Sequence, residues 1–406
     1  MSFRLCLGNA VAFLLPLCGS LAQTPDFATI NQAFGVPLWA DNNLWDDPDA
    51  GAAGRLHWRA ESRTTTDSSF RRYAGPDERL LGARPFSLAL YGKDGKVSQL
   101  SMIFANKGDL GKADDRRPLY KAQITADAKA IREALTKALG PAKVTQFGEG
   151  SRTRERVERW DWDGHSILLA APRGEYVAVR IVPTTVADGE VTAKAVTGVD
   201  LRAALKDRVE HRPNGDVILR DIPMVDQGPK GYCVPATWER ALRYMGIPAD
   251  MYVLAMAGQT SAGGGTNVQS MMAGAKEVVS RNGHWLETRS GRISPQTVSR
   301  FIDAGRPVMW TMFVVDSLHK NITYRSAQRR TVTDWTTYKE MLKPWRKAAL
   351  RLRTSPENGH MCMIIGYNVA TNEIAISDSW GPEFAERWIT EEEANAISQG
   401  SLTVVN

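Results

Sequence analysis

Cysteine is scarce in this sequence, and two of its four copies, Cys6 and Cys18, lie in an N-terminal stretch that reads as an export signal. MSFRLCLGNAVAFLLPLCGSLAQTPDF carries one early positive charge at Arg4, an apolar run to Leu17, and small residues at Ser20 and Ala22. That layout predicts cleavage after Ala22 and a secreted or periplasmic protein. The bulky Leu17 disfavours lipidation at Cys18. Only Cys233 and Cys362 then remain, which excludes a fold stapled by several disulfides. A single bridge between them would abolish any thiol chemistry. No other run is long and apolar enough to span a bilayer.

Other absences narrow the chemistry. The six histidines fall at 57, 165, 211, 284, 319 and 360, with no HExxH and no paired-cysteine spacing, so neither a metal site nor a cofactor is expected. QTSAGGGTNVQSMM is glycine-rich but lacks the Gly-Lys-Ser/Thr that reaches phosphate and metal. It reads instead as backbone able to lie close to an extended peptide. The net charge of +6 is local: residues 317–353 hold ten Lys/Arg against two acids, leaving the remainder near −2. A nucleic-acid binder shows a basic face on a whole domain, so none is expected. The basic segment is expected to be a peripheral excursion between two buried strands, VMWTMFVV and HMCMIIGY. Its helix, about 334–353, would turn Lys/Arg outward and favour an acidic partner.

The pattern along the chain predicts two α+β units. Residues 23–195 form a smaller accessory domain, with a hairpin in PFSLALYGKDGKVSQLSMIFA turning at KDGK. A helix follows in ITADAKAIREALTKALG, with Thr125 as its N-cap, and ERWDWDGHSILLA and EYVAVRIVP supply a second pair of strands. VADGEVTAKAVTG (186–198) has linker composition, and residues 196–212 are read as linker and short helix. The second domain, 213–406, opens with the strand DVILRDIPMV.

Chemistry concentrates in this second domain. In DQGPKGYCVPATWERALRYMG the apolar positions Trp238, Ala241, Leu242 and Met245 recur at helical spacing, so Cys233 opens a helix. Free N–H groups and the positive dipole end at that place stabilise a thiolate. A thiolate nucleophile needs a base, and the base an orienting group. NGHMCMIIGYNVATNEIAISDSWG offers both. A hairpin centred near Ala370 sets Asp378 opposite Cys362 and one or two places from His360, where cross-strand Cβ atoms lie about 5–8 Å apart. Gln227, six residues before Cys233 across a glycine turn, places a side-chain amide where it can donate alongside the Cys233 backbone N–H to a developing oxyanion.

Gln227-x5-Cys233 at a helix start, His360 before an apolar strand ending in Gly-Tyr, and Asp378-Ser379-Trp380-Gly381 together resemble the papain-like cysteine peptidases. The bacterial branch that processes bacteriocin leaders is the most similar. His360 follows Cys233 by 127 residues and Asp378 by 145, near the family's interval of about 130–150. The resemblance covers the second domain only. It implies a papain-like α+β fold acting on a peptide or protein substrate. Cys233 would be nucleophile, His360 base then acid, Asp378 orienter and Gln227 oxyanion donor, with Trp380 shielding the His–Asp contact. Val234 stands where papain has an aromatic residue, and Asp378 where papain has Asn. Because papain-type sites work with an amide there, Asp378→Asn is expected to retain substantial activity. Two other readings share the motif: a transglutaminase-like or amidase acyltransferase, and a binding module on an inactive peptidase fold.

Overall fold

The structure, a computed structural model, describes residues 24–39, 44–109, 117–189 and 199–406. The export signal and most of the predicted linker lie outside the described residues. Two antiparallel sheets and their helices make an α+β architecture, as expected. Among the described residues no helix is long and apolar enough to cross a membrane.

The first sheet contains β1 (Arg59–Arg63), β2 (Asp67–Tyr73), β3 (Ser87–Lys93), β4 (Lys96–Asn106), β5 (Lys143–Phe147), β6 (Glu155–Trp162), β7 (His165–Ala170) and β8 (Tyr176–Pro183). Their order across the sheet is β1-β2-β3-β4-β8-β7-β6-β5. The KDGK turn forms as predicted: Asp94 and Gly95 both take positive φ, the conformation a two-residue hairpin needs to match strand twist. Asp163-Gly164 does the same between β6 and β7, so ERWDWDGHSILLA is itself a hairpin rather than one strand. The helix Arg117–Leu139 begins before the predicted cap, and Thr125 lies inside it, its hydroxyl donating to the Lys121 carbonyl.

One face of this sheet packs on that helix through Leu100, Met102, Ile167 and Val179 against Ile131 and Leu135. The opposite face is equally apolar, and it packs on the C-terminal half. Ile103, Leu168, Tyr176 and Ala178 share a core with Tyr232, Ala236, Met251 and Tyr252. β8 is therefore buried on both sides, which explains its near-continuous apolar run. Its one charge, Arg180, is neutralised by Glu155 at 2.7 Å.

The second sheet contains β9 (Val209–His211), β10 (Asp216–Leu219), β11 (Leu286–Ser290), β12 (Val308–Phe313), β13 (Gly359–Asn368), β14 (Glu373–Ser377), β15 (Arg387–Thr390) and β16 (Ser398–Val405). Central strand β13 pairs with β12, β10 and β14. DVILRDIPMV is strand only over its first four residues. Odd-numbered Met361, Met363 and Ile365 face helix Cys233–Tyr244, while Cys362 and Ile364 face helix Pro295–Ile302. Gly366 is required in β13, because a Cβ there would lie 2.5 Å from the Val217 carbonyl oxygen.

The basic insert does lie between adjacent strands β12 and β13, as helices Asp316–Arg329 and Trp335–Ala349. It is not peripheral. Arg325 pairs with Glu393 at 2.6 Å, and Arg329 bridges Asp216 and Glu373, all of them buried. Charge in this segment reads as surface, yet buried carboxylates on β10, β14 and helix Glu391–Ile397 turn two of its arginines inward. Lys339, Lys343 and Lys347 remain exposed, as expected.

Candidate active site

Helix Cys233–Tyr244 begins at the cysteine, with Tyr232 at the cap position and no side chain capping the first turn. Its first N–H groups are thus available to a negative charge. Nearly the whole helix is buried, Glu239 and Arg240 included, because β13 covers one side and the first sheet's core the other. Arg240 donates to the Pro223 and Ser377 carbonyls, at 2.8 and 3.1 Å, tying the helix to the end of β14.

β13 and β14 set the next two groups. Met363 faces Ser377 and Ile364 faces Ile376, so the same register carried one place further sets Asp378 opposite Cys362, as predicted. An irregularity between Ile364 and Gly366 shifts the pairing only on the turn side. His360 Nε2 meets Asp378 Oδ1 at 2.8 Å. The ring's other nitrogen is left for Cys233, whose thiol is electrostatically coupled to the imidazole. Trp380 stacks on the His360 ring at 4.5 Å between centroids, which keeps water off the His–Asp contact.

The electrostatics follow from burial set against these partners. Burial alone would raise the Cys233 thiol, but the hydrogen bond and charge of His360, with the backbone N–H groups of Met361 and Val234, bring it below its ordinary value. Burial would likewise lower His360, yet its bonds to Asp378 and Cys233 raise it to about 9. Asp378 is held well below the usual carboxylate range: the Arg387 charge and the His360 bond outweigh its burial. These shifts favour charge separation between the thiol and the imidazole, with a carboxylate behind the ring. Cys362 differs, because burial pushes its thiol far up. Both cysteines are free.

Gln227 is held at both ends. Its carbonyl accepts from the Ser379 hydroxyl at 2.7 Å, and its amide donates to the Lys230 carbonyl at 2.7 Å. The amide nitrogen keeps a second hydrogen, and Gln227 N–H also bonds the Ser379 carbonyl at 2.9 Å. The loop from Gln227 to Cys233 is thereby joined to the residue after Asp378. The glycine loop closes on the same segment: Gly265 N–H donates to Gly231 O, and Gly264, at φ +96°, lies so close to Gly231 that a Cβ would sit 2.6 Å from its Cα.

Four contributors were not legible in the motif. Arg387 on β15 donates to Asp378 Oδ2. His319, from the basic insert, accepts from Arg387 at 3.3 Å and lies edge-on to Trp380 at 5.2 Å. From the first half, Tyr73 OH donates to Asp226 O at 2.8 Å and Glu61 accepts from Asp226 N at 2.7 Å, which clamps the start of the Gln227 loop. None carries a sequence signal, since each is defined by a contact across a fold.

Residues 219–399 match the Peptidase_C39 like family, a span that takes in Gln227, Cys233, His360, Asp378 and Arg387. The match agrees with the resemblance to papain-like cysteine peptidases and supports a peptidase of the cysteine type. No curated protein matches the sequence.

Proposed function

We propose that this protein is an exported thiol peptidase that hydrolyses peptide bonds through Cys233, His360 and Asp378 by way of an acyl-enzyme. The observation that carries this reading is a buried thiol at an uncapped helix start, coupled to an imidazole that is itself bound to a carboxylate at 2.8 Å. The thiolate attacks the scissile carbonyl carbon, and the oxyanion takes hydrogen bonds from the Cys233 backbone N–H and the second Gln227 amide hydrogen. His360 Nδ1 then gives its proton to the leaving amine, the C–N bond breaks and a thioester remains. A water enters, surrenders a proton to the same nitrogen and attacks the thioester. Collapse releases a carboxylic acid and restores the pair.

In this reading residues 213–406 are the peptidase unit and residues 23–195 brace it, holding the Gln227 loop from outside. The exposed lysines of helix Trp335–Ala349 suit a substrate or partner with acidic residues. Peptide-library profiling of the protein beside its Cys233→Ala form tests the proposal. Cleavage by the first and none by the second supports it. Amine incorporation in place of hydrolysis, or equal cleavage by both, overturns it.

A further inference from the structure

Papain-type sites accept an amide as the orienting group; here the second oxygen of Asp378 is already engaged. Its Oδ1 faces His360 Nε2 at 2.8 Å, and its Oδ2 faces Arg387 Nη2 in a buried ion pair. Arg387 is itself held by the Thr323 hydroxyl at 3.0 Å and by His319 Nδ1 at 3.3 Å, so its guanidinium is fixed from the side of the basic insert. Resting on the triad assignment above, we propose that Arg387 is a positioning residue that makes position 378 require a carboxylate, because it would turn an amide there the wrong way round.

Donors and acceptors decide the outcome. An Asn at 378 has one oxygen and one NH2 to place between two neighbours. If the oxygen faces His360, the NH2 confronts the Arg387 N–H groups, donor against donor beside a buried cation. If the oxygen faces Arg387, that clash disappears, but the NH2 then points at His360 Nε2. Nε2 must become an acceptor, the ring proton moves to Nδ1, and the ring can no longer take the thiol proton. The second arrangement satisfies every buried group and is the one expected. It leaves Cys233 as a thiol beside a neutral imidazole of the wrong tautomer.

The test compares wild type, Asp378→Asn, Arg387→Met and the double variant, using thiolate absorbance at 240 nm, alkylation rate and peptide turnover. Wild type should show a thiolate at neutral pH. Asp378→Asn should lose it, with turnover down by about 10³–10⁴, the scale seen when a wrong tautomer is imposed on a catalytic histidine. The double variant should regain thiolate and turn over at least about tenfold faster than Asp378→Asn, a coupling between neighbours opposite in sign to additive damage. A thiolate and near-wild-type turnover in Asp378→Asn would overturn the inference, as would a folded double variant no better than Asp378→Asn. Should the double variant not fold, 15N NMR of histidine-labelled Asp378→Asn decides alone: a neutral His360 protonated at Nδ1 is expected, and protonation at Nε2 refutes. Absence of a low-pKa thiol in wild type would instead sink the nucleophile assignment, so the two failures are distinguishable.

Discussion

Arg329→Met removes one side chain from the basic insert and should cost far more than a surface arginine does. The guanidinium donates to both oxygens of Asp216, at 2.8 and 2.6 Å, and to Glu373 at 3.1 Å. It also lies 3.7 Å from the centre of the Trp388 ring. Breaking a buried pair by removing one partner costs about 3–5 kcal/mol, because the remaining charge is stranded. Asp216 keeps Asn368 and Asn214, and Glu373 keeps Tyr338, which argues for the lower part of that range. Loss of the ring contact adds about 0.5–2 kcal/mol. Taking about 4 kcal/mol in all, at about 2–4 °C per kcal/mol for a unit this size, a fall in Tm of about 8–16 °C is expected.

The pH dependence supplies the sharper check. In wild type, burial would raise Asp216, but the Arg329 hydrogen bonds and charge lower it below its ordinary value. Its contribution to stability is therefore present above the unfolded value and lost as pH falls through the folded one. In Arg329→Met burial dominates, the folded value rises above the unfolded one, and the penalty is relieved by protonation. The gap in Tm between wild type and variant should narrow on acidification. Lys347→Gln, on the exposed face, should change stability by under about 0.5 kcal/mol. Thermal melts from pH 8 to 4.5 decide the matter. A loss below about 2 °C, or a gap that widens toward acid, would refute the buried-pair reasoning.

Four further outcomes are expected. Activity should follow a bell in pH, with an acid limb below the ordinary thiol value set by Cys233 and an alkaline limb near 9 set by His360. Iodoacetamide near pH 6 should label Cys233 and spare Cys362, and equal labelling or a disulfide between them would contradict the assignment. Gln227→Ala should lower kcat by about 10²–10³ with a small change in KM. An unchanged kcat in folded protein would remove Gln227 from the oxyanion site. Gly264→Ala forces a Cβ onto Gly231 at a positive φ and should reduce turnover at least about tenfold through displacement of the Cys233 approach; wild-type kinetics would show that the glycine contact does not position the site.

Local rules were enough for much of the site. Cys233 at a helix start follows from apolar spacing and the turn before it, and the His360–Asp378 meeting follows from a four-residue hairpin turn and the two-residue period of a strand. Those are short-range constraints, set by residues close in the chain. The turns at Asp94-Gly95 and Asp163-Gly164 belong to the same class, although the second is masked in the sequence by flanking strands that read as one. What tertiary structure alone decided is everything that needs two distant segments. Whether Arg325 and Arg329 face solvent or a buried carboxylate depends on residues 68 and 113 positions away. Whether Glu239 is exposed depends on the first sheet covering the far side of a helix whose own pattern shows one apolar stripe. The contact of Arg387 with Asp378 spans only nine residues, yet it too arises from β15 pairing beside β14. Helical and strand periods report which face of an element is apolar; they carry no information on what is laid against the other face, and at this site that other face holds the carboxylate in place.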